Sequence, residues 1–411
     1  MNDLYASVLQ EVEALRDAFS SAGFELYLVG GIVRDLHLGA PVEELDFDLT
    51  TDARPEDIKR LVGPLSTAVW TQGERFGTIG CQVDGRPIEI TTHRAESYSD
   101  ETRKPEVVFG DDITVDLSRR DFTLNAMAIQ VSNATLIDPF DGLGALEARI
   151  LKTPIEPEVS FSDDPLRILR AARFIARYDL LVDSGVLTAG QELIDRMSIV
   201  SAERVRDEFD KLLLAPEPSA GLSFLAEVGA WPHIVPTIDV STLADLAEQL
   251  DAAPVDLPLR RAIVFSYCAD RDRADALSAL RFSNEDSRWL RLLLAGFDVV
   301  RSGGQPLDAS TLRRLIARVG FENVPQLQRL LESRGVADRG FGVLFTELDA
   351  QEDLADLDPV LTGDEVMALL DLEPGPEVGA AIGVLRERRY DEGPTDAEGE
   401  TDYLRSRYRR R

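Results

Sequence analysis

The sequence predicts an α/β domain in the first part of the chain, followed by a helical remainder. Short apolar segments bounded by Gly, Asp or Pro, several of them alternating in polarity, indicate a mixed sheet before about residue 150. From about Asp163 onward, apolar residues recur every three or four positions in runs separated by Pro and Gly, which is typical of helices. Because 411 residues exceed what one hydrophobic core usually organises, we expect two or three domains.

The elements follow in order along the chain. Residues 1–23 are predicted to form one amphipathic helix that ends at Gly23. The expected strands are LYLV (26–29), LDFDLT (45–50), TIGCQV (78–83), RPIEITTH (86–93) and AMAIQV (126–131). The first long helical segments are DPLRILRAARFIARY (164–178) and SAERVRDEFDKLLLA (201–215). The polar stretch Asp391–Thr401 is expected to be a loosely ordered loop, and the basic end RSRYRRR (405–411) a solvated tail.

Composition excludes several classes of protein. A formal net charge of −30 argues against binding nucleic acid over the whole surface, so any such contact must be local. No apolar run approaches the roughly 20 residues of a membrane-spanning helix, and we therefore expect a cytoplasmic protein with no membrane segment. Cys81 and Cys268 lack the paired spacing of a disulfide framework or a zinc site and are expected to be buried thiols.

The first candidate for chemistry is LYLVGGIVRD (26–35), where a strand ends in Gly30 and Gly31 and a helix begins. Two glycines let the backbone approach phosphates closely, and a helix N-terminus directs N–H groups at an anion. Arg34 would clamp the same phosphates. Taken alone, a strand-Gly-Gly-helix joint is more often a tight turn that binds nothing.

The second candidate is Asp46-Phe47-Asp48, inside a predicted strand. Alternation along a strand directs both carboxylates to one face, where they can bridge divalent cations. Phosphoryl transfer with two metal ions requires such a pair. Glu89, on a later strand, is a candidate third acidic residue. Solvated surface charges are the alternative for all three residues.

Gly-Gly at a helix start, followed by Asp-x-Asp on the next strand, resembles the layout of the DNA polymerase beta nucleotidyltransferase superfamily. SRRDFTLNA (118–126) resembles the RRDFTxNA element of class II tRNA nucleotidyltransferases and bacterial poly(A) polymerases. The resemblance implies an α/β head with the DNA polymerase beta-like nucleotidyltransferase fold, followed by an all-α neck, body and tail. It also implies that Arg120 and Asp121 bind the incoming nucleotide, with Asp121 near the ribose.

SDDPLRILRAARF (162–174) resembles the EDxxR element of the same family. By that resemblance, Asp164 and Arg167 pair with the Watson–Crick edge of the base, so that protein replaces a template. Cytosine and adenine present the same donor and acceptor there, whereas guanine and uracil present the opposite polarity. Arg170 and Arg173 continue the helical face and would support it or neutralise phosphate. An ordinary amphipathic helix is the alternative.

Two further segments are expected to have structural rather than chemical roles. DPFDGLGALEARIL (138–151) resembles the family's hinge, although a loop with a helix cap would also suit it. SAERVRDEFDKLLL (201–214) resembles the ERIxxEL element, in which Glu203 and Arg206 would brace the neck helices. The resemblance divides the chain into a head (1–150), a neck (151–215), and a body and tail (216–411) that bind tRNA. Residues 259–269 lack the His-Asp pair of a phosphohydrolase domain, so we expect no such activity.

The resemblance as a whole implies addition of C and A residues, from CTP and ATP, to the 3′ end of tRNA. Two Mg²⁺ ions held by Asp46 and Asp48 would serve the reaction. A poly(A) polymerase, or an enzyme adding only CC or only A, shares these motifs and stays open. A non-catalytic RNA-binding protein would predict a decayed acidic pair, and a small-molecule nucleotidyltransferase would not need SRRDFTLNA.

Overall fold

The computed structural model describes residues 3–95, 108–302, 307–336 and 340–408. The chain forms two compact units. The first contains Met1–Ser201 and Ala220–His233, and the second contains Ala202–Ser219 and Ile234–Arg411. The predicted division into head, neck and body at residues 150 and 215 is a division by function, and it stays a prediction.

The first unit is built around a mixed sheet, as the sequence predicts. In chain order the strands are β1 Leu26–Val29, β2 Phe47–Thr51, β3 Ala68–Trp70, β4 Thr78–Val83, β5 Arg86–Thr92, β6 Arg94–Ala95, β7 Val108–Phe109, β8 Ala128–Gln130, β9 Thr135–Ile137, β10 Ile150–Leu151 and β11 Leu181–Val182. Seven of them form one sheet in the order β3-β4-β5-β2-β1-β8-β9. Strands β2 and β5 are parallel, and the other neighbours are antiparallel. The edge strands β3 and β9 were not predicted, because three residues are too few to show a period.

Helices make up most of the remainder. In chain order they are α1 Asp3–Glu11, α2 Glu13–Ser21, α3 Gly31–His37, α4 Pro55–Val62, α5 Ile113–Ser118, α6 Gly142–Glu147, α7 Pro157–Asp163, α8 Leu166–Tyr178, α9 Ser184–Leu193, α10 Ala202–Leu213, α11 Pro218–Glu227, α12 Trp231–Ile234, α13 Leu243–Ala252, α14 Leu257–Ser266, α15 Asp270–Ala279, α16 Asn284–Ser302, α17 Ala309–Val319, α18 Val324–Ser333, α19 Phe341–Asp349, α20 Gly363–Leu370, α21 Pro376–Glu392 and α22 Ala397–Tyr408. None of the described helices combines the length and the apolar content needed to cross a bilayer.

The two faces of the sheet differ. On one face, Leu49 and Ile90 belong to a core that also contains Val8 and Phe19 from the N-terminal helices. Because successive strand residues alternate between faces, Asp48 and Glu89, the neighbours of core residues, project from the opposite face. This open face carries the candidate site.

The N-terminal segment forms two helices rather than the one predicted, with a break at the buried Val12. The amphipathic stripe continues across the break, so the apolar period alone does not reveal it. Cys81 and Cys268 are both buried free thiols, as predicted.

The prediction of a loose loop at Asp391–Thr401 is wrong. Helix α21 continues to Glu392, a short turn follows Gly393, whose φ is +92°, and α22 begins at Ala397. Glu400 is buried and accepts hydrogen bonds from the N–H groups of Val360 (3.0 Å) and Leu361 (2.8 Å). These long-range partners order a segment that is polar in composition. The predicted tail is helical up to Tyr408, and residues 409–411 lie outside the described residues.

The segments 138–151 and 201–214, which were predicted to have structural rather than chemical roles, make specific local contacts. The Asp138 carboxylate accepts hydrogen bonds from the N–H groups of Gly142 (2.6 Å) and Leu143 (2.9 Å), and so caps α6. A hinge motion there remains a prediction. Glu203 pairs with Arg281 at 2.7 Å, and Arg206 donates to the Arg281 carbonyl. The bracing contact therefore joins α10 to the turn after α15, not to the other neck helices as predicted.

Candidate functional site

The acidic pair at the centre of the site lies on two adjacent strands. Asp48 of β2 is in register with Glu89 of the parallel strand β5. Asp46 precedes β2 instead of lying inside it, and its carbonyl accepts a hydrogen bond from the Asp48 N–H at 3.2 Å. Asp46 and Asp48 are nevertheless both exposed, on either side of the buried Phe47.

The environment of Asp48 disfavours its charge. Although the Asp48 side chain reaches solvent, desolvation by the surrounding cleft and the neighbouring Glu89 carboxylate raise its pKa to about 6, against the opposing charge of Arg120. Asp46 contributes a smaller repulsion in the same direction. A cluster of carboxylates that repel one another in this way is stabilised by a divalent cation, whose preferred ligands are oxygen atoms.

A cavity of about 380 Å³ lies above the acidic pair, within the first unit. Its acidic lining includes Asp48 and Glu89, and its basic lining consists of Arg94, Arg119, Arg120 and Arg167. Carboxylates beside guanidinium groups are the combination that a metal-bound triphosphate requires, since cations bind its oxygens from both sides. Of the predicted site residues, Asp48, Arg120 and Arg167 meet in this cavity.

Arg120 is positioned by the glycine pair. Gly30 has φ +75°, and a Cβ at this residue would lie 2.8 Å from Nη1 of Arg120. Arg120 Nη2 also donates to Asp116 Oδ2 at 3.2 Å. Helix α3 begins at Gly31, directly after this turn, as the sequence predicts. The absence of a side chain at Gly30 thus lets Arg120 lie against the strand-to-helix turn.

A second group of predicted residues forms a hydrogen-bonded chain beside the cavity. Arg34 is buried and donates to Asn125 Oδ1, and Asn125 Nδ2 donates to Asp121 Oδ1 at 2.9 Å. Arg170 Nε donates to Asp121 Oδ2 at 2.9 Å. Although burial opposes it, the charge of Arg170 and the hydrogen bonds from Asn125, Arg170 and the Phe122 N–H hold the pKa of Asp121 below its ordinary value. The chain joins α3, SRRDFTLNA and α8, and nucleotide-binding roles for these residues remain predictions.

Of the residues predicted to read the base, Asp164 lies outside the helix on which the sequence placed it. Asp164 is extended (φ −141°, ψ 97°) and α8 starts at Leu166, because a residue before proline is disfavoured in the helical region. The Asp164 carboxylate accepts from the Leu166 N–H at 3.2 Å, so it caps the helix. Arg167 Nη1 donates to Ser160 Oγ at 2.7 Å, and Nη2 donates to the Arg119 carbonyl. Arg173 packs on the Phe174 ring at 4.2 Å.

Two arginines of the cavity were missed by sequence reasoning. Arg94 begins β6, separated by one residue from the end of the strand that carries Glu89, and its Nε donates to the Phe76 carbonyl at 3.0 Å. Arg119 precedes Arg120 in SRRDFTLNA. The usable signal was their adjacency to residues already selected, since a basic residue at the end of a strand lies close to an acidic residue within it.

Comparisons with known proteins agree with this geometry. Residues 26–152 match the family described as "Poly A polymerase head domain", and residues 179–241 match "Probable RNA and SrmB- binding site of polymerase A". The CCA-adding enzyme of Lactococcus lactis subsp. lactis (strain IL1403) is 32% identical over 373 residues, which cover 89% of each chain. The chain belongs to the CCA-adding enzyme family. The predicted nucleotidyltransferase head with a helical remainder is thereby confirmed.

Solved structures of the CCA-adding enzyme family share the fold. The Bacillus stearothermophilus CCA-adding enzyme in complex with CTP superposes with a TM-score of 0.79 at 24% identity, covering 100% of this chain and 99% of that chain. The Thermotoga maritima CCA-adding enzyme complexed with tRNA_CCA superposes with a TM-score of 0.66 at 20% identity, covering 98% of this chain and 96% of that chain. At these identities the likeness shows a shared fold over almost the whole chain.

Proposed function

We propose that the protein adds C and A residues, from CTP and ATP, to the 3′ end of tRNA and releases pyrophosphate. The observation that carries the proposal is the cavity in which the Asp48–Glu89 pair meets four arginines. Transfer of a nucleotidyl group requires such a site, because the triphosphate oxygens and the leaving pyrophosphate carry charge that cations must balance. The proposal assigns the reaction to the cytoplasm.

Two Mg²⁺ ions held by Asp46 and Asp48 are part of the proposal. Bound ions of this kind supply activation of the attacking hydroxyl and neutralisation of the leaving group. Besides desolvation, repulsion by Glu89 raises the pKa of Asp48, and this repulsion between carboxylates supports the fit of a cation. Among the described residues, no three acidic, histidine or cysteine side chains already form a complete metal site, so oxygens of the substrate would complete the coordination.

The chain's own residues bind and orient the substrate. Arg120 holds the triphosphate from the Gly30 turn, together with Gly31 and Arg34 on α3. Asp121, bound by Arg170, orients the nucleotide near its ribose. Arg167 reaches the base from α8 and reads it with Asp164, while Arg170 and Arg173 support that face.

The helical part of the chain would bind the tRNA. In this proposal residues 151–215 select the base, and residues 216–411 grip the acceptor stem by its shape and backbone, as suits double-stranded RNA. The absence of phosphohydrolase activity remains a prediction.

The deciding experiment uses purified protein with Mg²⁺ and four tRNA transcripts, ending before CCA, at C, at CC and at CCA. Each receives CTP alone, ATP alone or both. Two C residues followed by one A, after which growth stops, is the expected result. Long adenosine tails would identify a poly(A) polymerase instead, and addition of only C or only A would identify a partial enzyme. If wild-type protein adds nothing to any end, the proposal is wrong.

A further inference from the structure

A row of paired residues crosses four strands on the open face of the sheet. Asp48 of β2 is in register with Glu89 of β5, and Glu89 with Gly80 of β4. Gly80 is in turn in register with Trp70 of β3. Residues paired in this way project from the same face of a sheet. The row therefore extends from the proposed metal ligands to an aromatic residue at the sheet edge.

Gly80 brings the Trp70 ring towards the acidic pair. A Cβ at this position would overlap the indole, which shows that the ring lies across the glycine instead of standing away from the sheet. Trp70 remains partly exposed in this position. The indole therefore lies over the glycine that separates it from Glu89, and its exposed part is open to another flat group.

A second cavity, of about 360 Å³, continues from the first. Glu89 and Arg94 line both cavities, and Trp70, Gln72 and Phe76 line only the second. Arg94 Nε is held by the Phe76 carbonyl, and no described residue accepts a hydrogen bond from its two terminal nitrogens. The second cavity thus combines an aromatic face with a cation that can bind phosphate.

The direction of the reaction favours one occupant. Displacement at phosphorus places the attacking hydroxyl and the leaving pyrophosphate on opposite sides of the phosphorus atom. In the proposed function, the triphosphate binds near Gly31 and Arg120, on the β1 side of Asp48. The attacking strand then reaches Asp48 from the β5 side, where the second cavity opens.

We propose that the Trp70 indole stacks on the nucleobase of the 3′-terminal residue of the RNA being extended. This inference rests on the proposed function and adds a binding site for the attacking strand. Stacking on an aromatic ring tolerates any base, because every base has a π face. Such tolerance suits an enzyme whose RNA end changes after each addition. Arg94 supplies the positive charge for the backbone phosphate of the same residue.

The test removes each stacking partner in turn. Trp70→Ala deletes the ring, and Trp70→Leu keeps an apolar side chain over Gly80. Val69→Ala is the matched control, because Val69 lies on the same strand, is 41% exposed and projects from the other face. Each protein receives minihelix RNAs whose 3′-terminal residue either carries its base or is abasic, and the KM for RNA is measured separately from the KM for CTP.

For the wild type, we expect loss of the terminal base to raise the KM for RNA about tenfold or more. Both Trp70 variants should raise the KM for the intact RNA by a similar factor and show no further loss with the abasic RNA. Their KM for CTP should match that of wild type and of Val69→Ala, which also shows that the variants are folded.

Two results would overturn the inference. One is an unchanged KM for RNA in both Trp70 variants. The other is an abasic effect as large in the variants as in wild type, because independent losses would mean that the ring and the base do not touch. In either case an active wild type leaves the proposed function intact, whereas an inactive wild type removes both.

Discussion

At the scale of single residues, the site shows how neighbours set the chemistry of a side chain. The local sequence only makes Asp48 a strand residue beside a buried phenylalanine. Its high pKa arises from desolvation in the cleft and then from Glu89, which lies 41 positions later in the chain, on the strand in register with it. Asp121, a carboxylate of the same type, has a lowered pKa because Arg170 and Asn125 stabilise its charge.

Asp48→Asn tests both the repulsion and the proposed cation. Without divalent ions, we expect the variant to have a higher thermal unfolding midpoint than wild type at neutral pH. Because the folded-state pKa of Asp48 is raised to about 6, this gain should shrink as the pH falls through that value and the wild-type carboxyl becomes protonated. Added Mg²⁺ should raise the midpoint of wild type but not of the variant, and nucleotide addition by the variant should fall about 100-fold or more.

Asp84→Asn is the control for this experiment, since Asp84 is exposed at the turn between β4 and β5. It should respond to Mg²⁺ like wild type. An Asp48→Asn protein that Mg²⁺ stabilises as much as wild type would show that Asp48 does not bind the ion.

Asp121→Asn tests the hydrogen-bonded chain beside the cavity. We expect a loss of about 2–4 kcal/mol in unfolding free energy at neutral pH, because the substitution removes the negative charge that Asp121 places against Arg170. The folded-state pKa of Asp121 lies below 3.8, so its stabilising contribution is present above about pH 4 and is lost as the pH falls through the folded-state value. In urea unfolding at a series of pH values, the difference between wild type and variant should therefore shrink in acid. A difference that stays constant would rule out this ion pair as its origin.

At the scale of elements, the strand-to-helix turn at Gly30 connects two motifs that are distant in sequence. Its positive φ favours glycine, and its missing side chain leaves room for Arg120. The turn thus has a second role besides opening α3. In the proposed function this turn binds phosphate, and its shape would then depend as much on what packs against it as on its own backbone.

Gly30→Ala and Gly39→Ala separate these two roles. Both glycines have positive φ, +75° and +82°, so alanine should strain each backbone, and the strain should be greater at Gly30, whose ψ of −126° lies outside the left-handed helical region. Only Gly30 has Arg120 nearby, whereas nothing lies within 4 Å of a Cβ at Gly39. We expect both variants to lose stability, Gly30→Ala more than Gly39→Ala, with a raised KM for CTP only in Gly30→Ala. Equal KM values would mean that the position of Arg120 does not matter for binding.

At the scale of the whole molecule, charge is unevenly distributed. The chain carries a net charge of −30, yet one cavity of the first unit contains four arginines. A strongly negative surface repels nucleic acid in general, so the proposed RNA binding requires local groups of cations such as this one.

A change in salt concentration should separate the self-repulsion of the chain from the attraction between its arginines and RNA. Raising KCl from about 0.1 M to about 1 M shortens the Debye length from about 10 Å to about 3 Å and screens the self-repulsion of the chain. We therefore expect the thermal unfolding midpoint to rise over this range while the affinity for RNA falls. Sucrose at matched osmolality is the control for non-ionic stabilisation. A midpoint that falls with KCl would show that attractive ion pairs outweigh the repulsion.

Much of the fold could be predicted because its signals are local. The strands with a clear apolar alternation, the glycine turn before α3 and the helical remainder all follow from patterns within a few residues. Asp46, Asp48 and SRRDFTLNA could be selected for the same reason. Asp164 was misplaced on a helix because the effect of the following proline was not weighed against the helical period.

The sequence by itself determined the classes of the two parts, the central strands and the motifs that carry the family resemblance. Only the tertiary structure decided that Glu89 lies beside Asp48, that Arg94 lines the same cavity, and that Trp70 lies over Gly80 in the same row. The physical reason is that strand order and register depend on contacts between distant parts of the chain. Local periodicity tells which face a side chain occupies, but not which side chain will lie next to it.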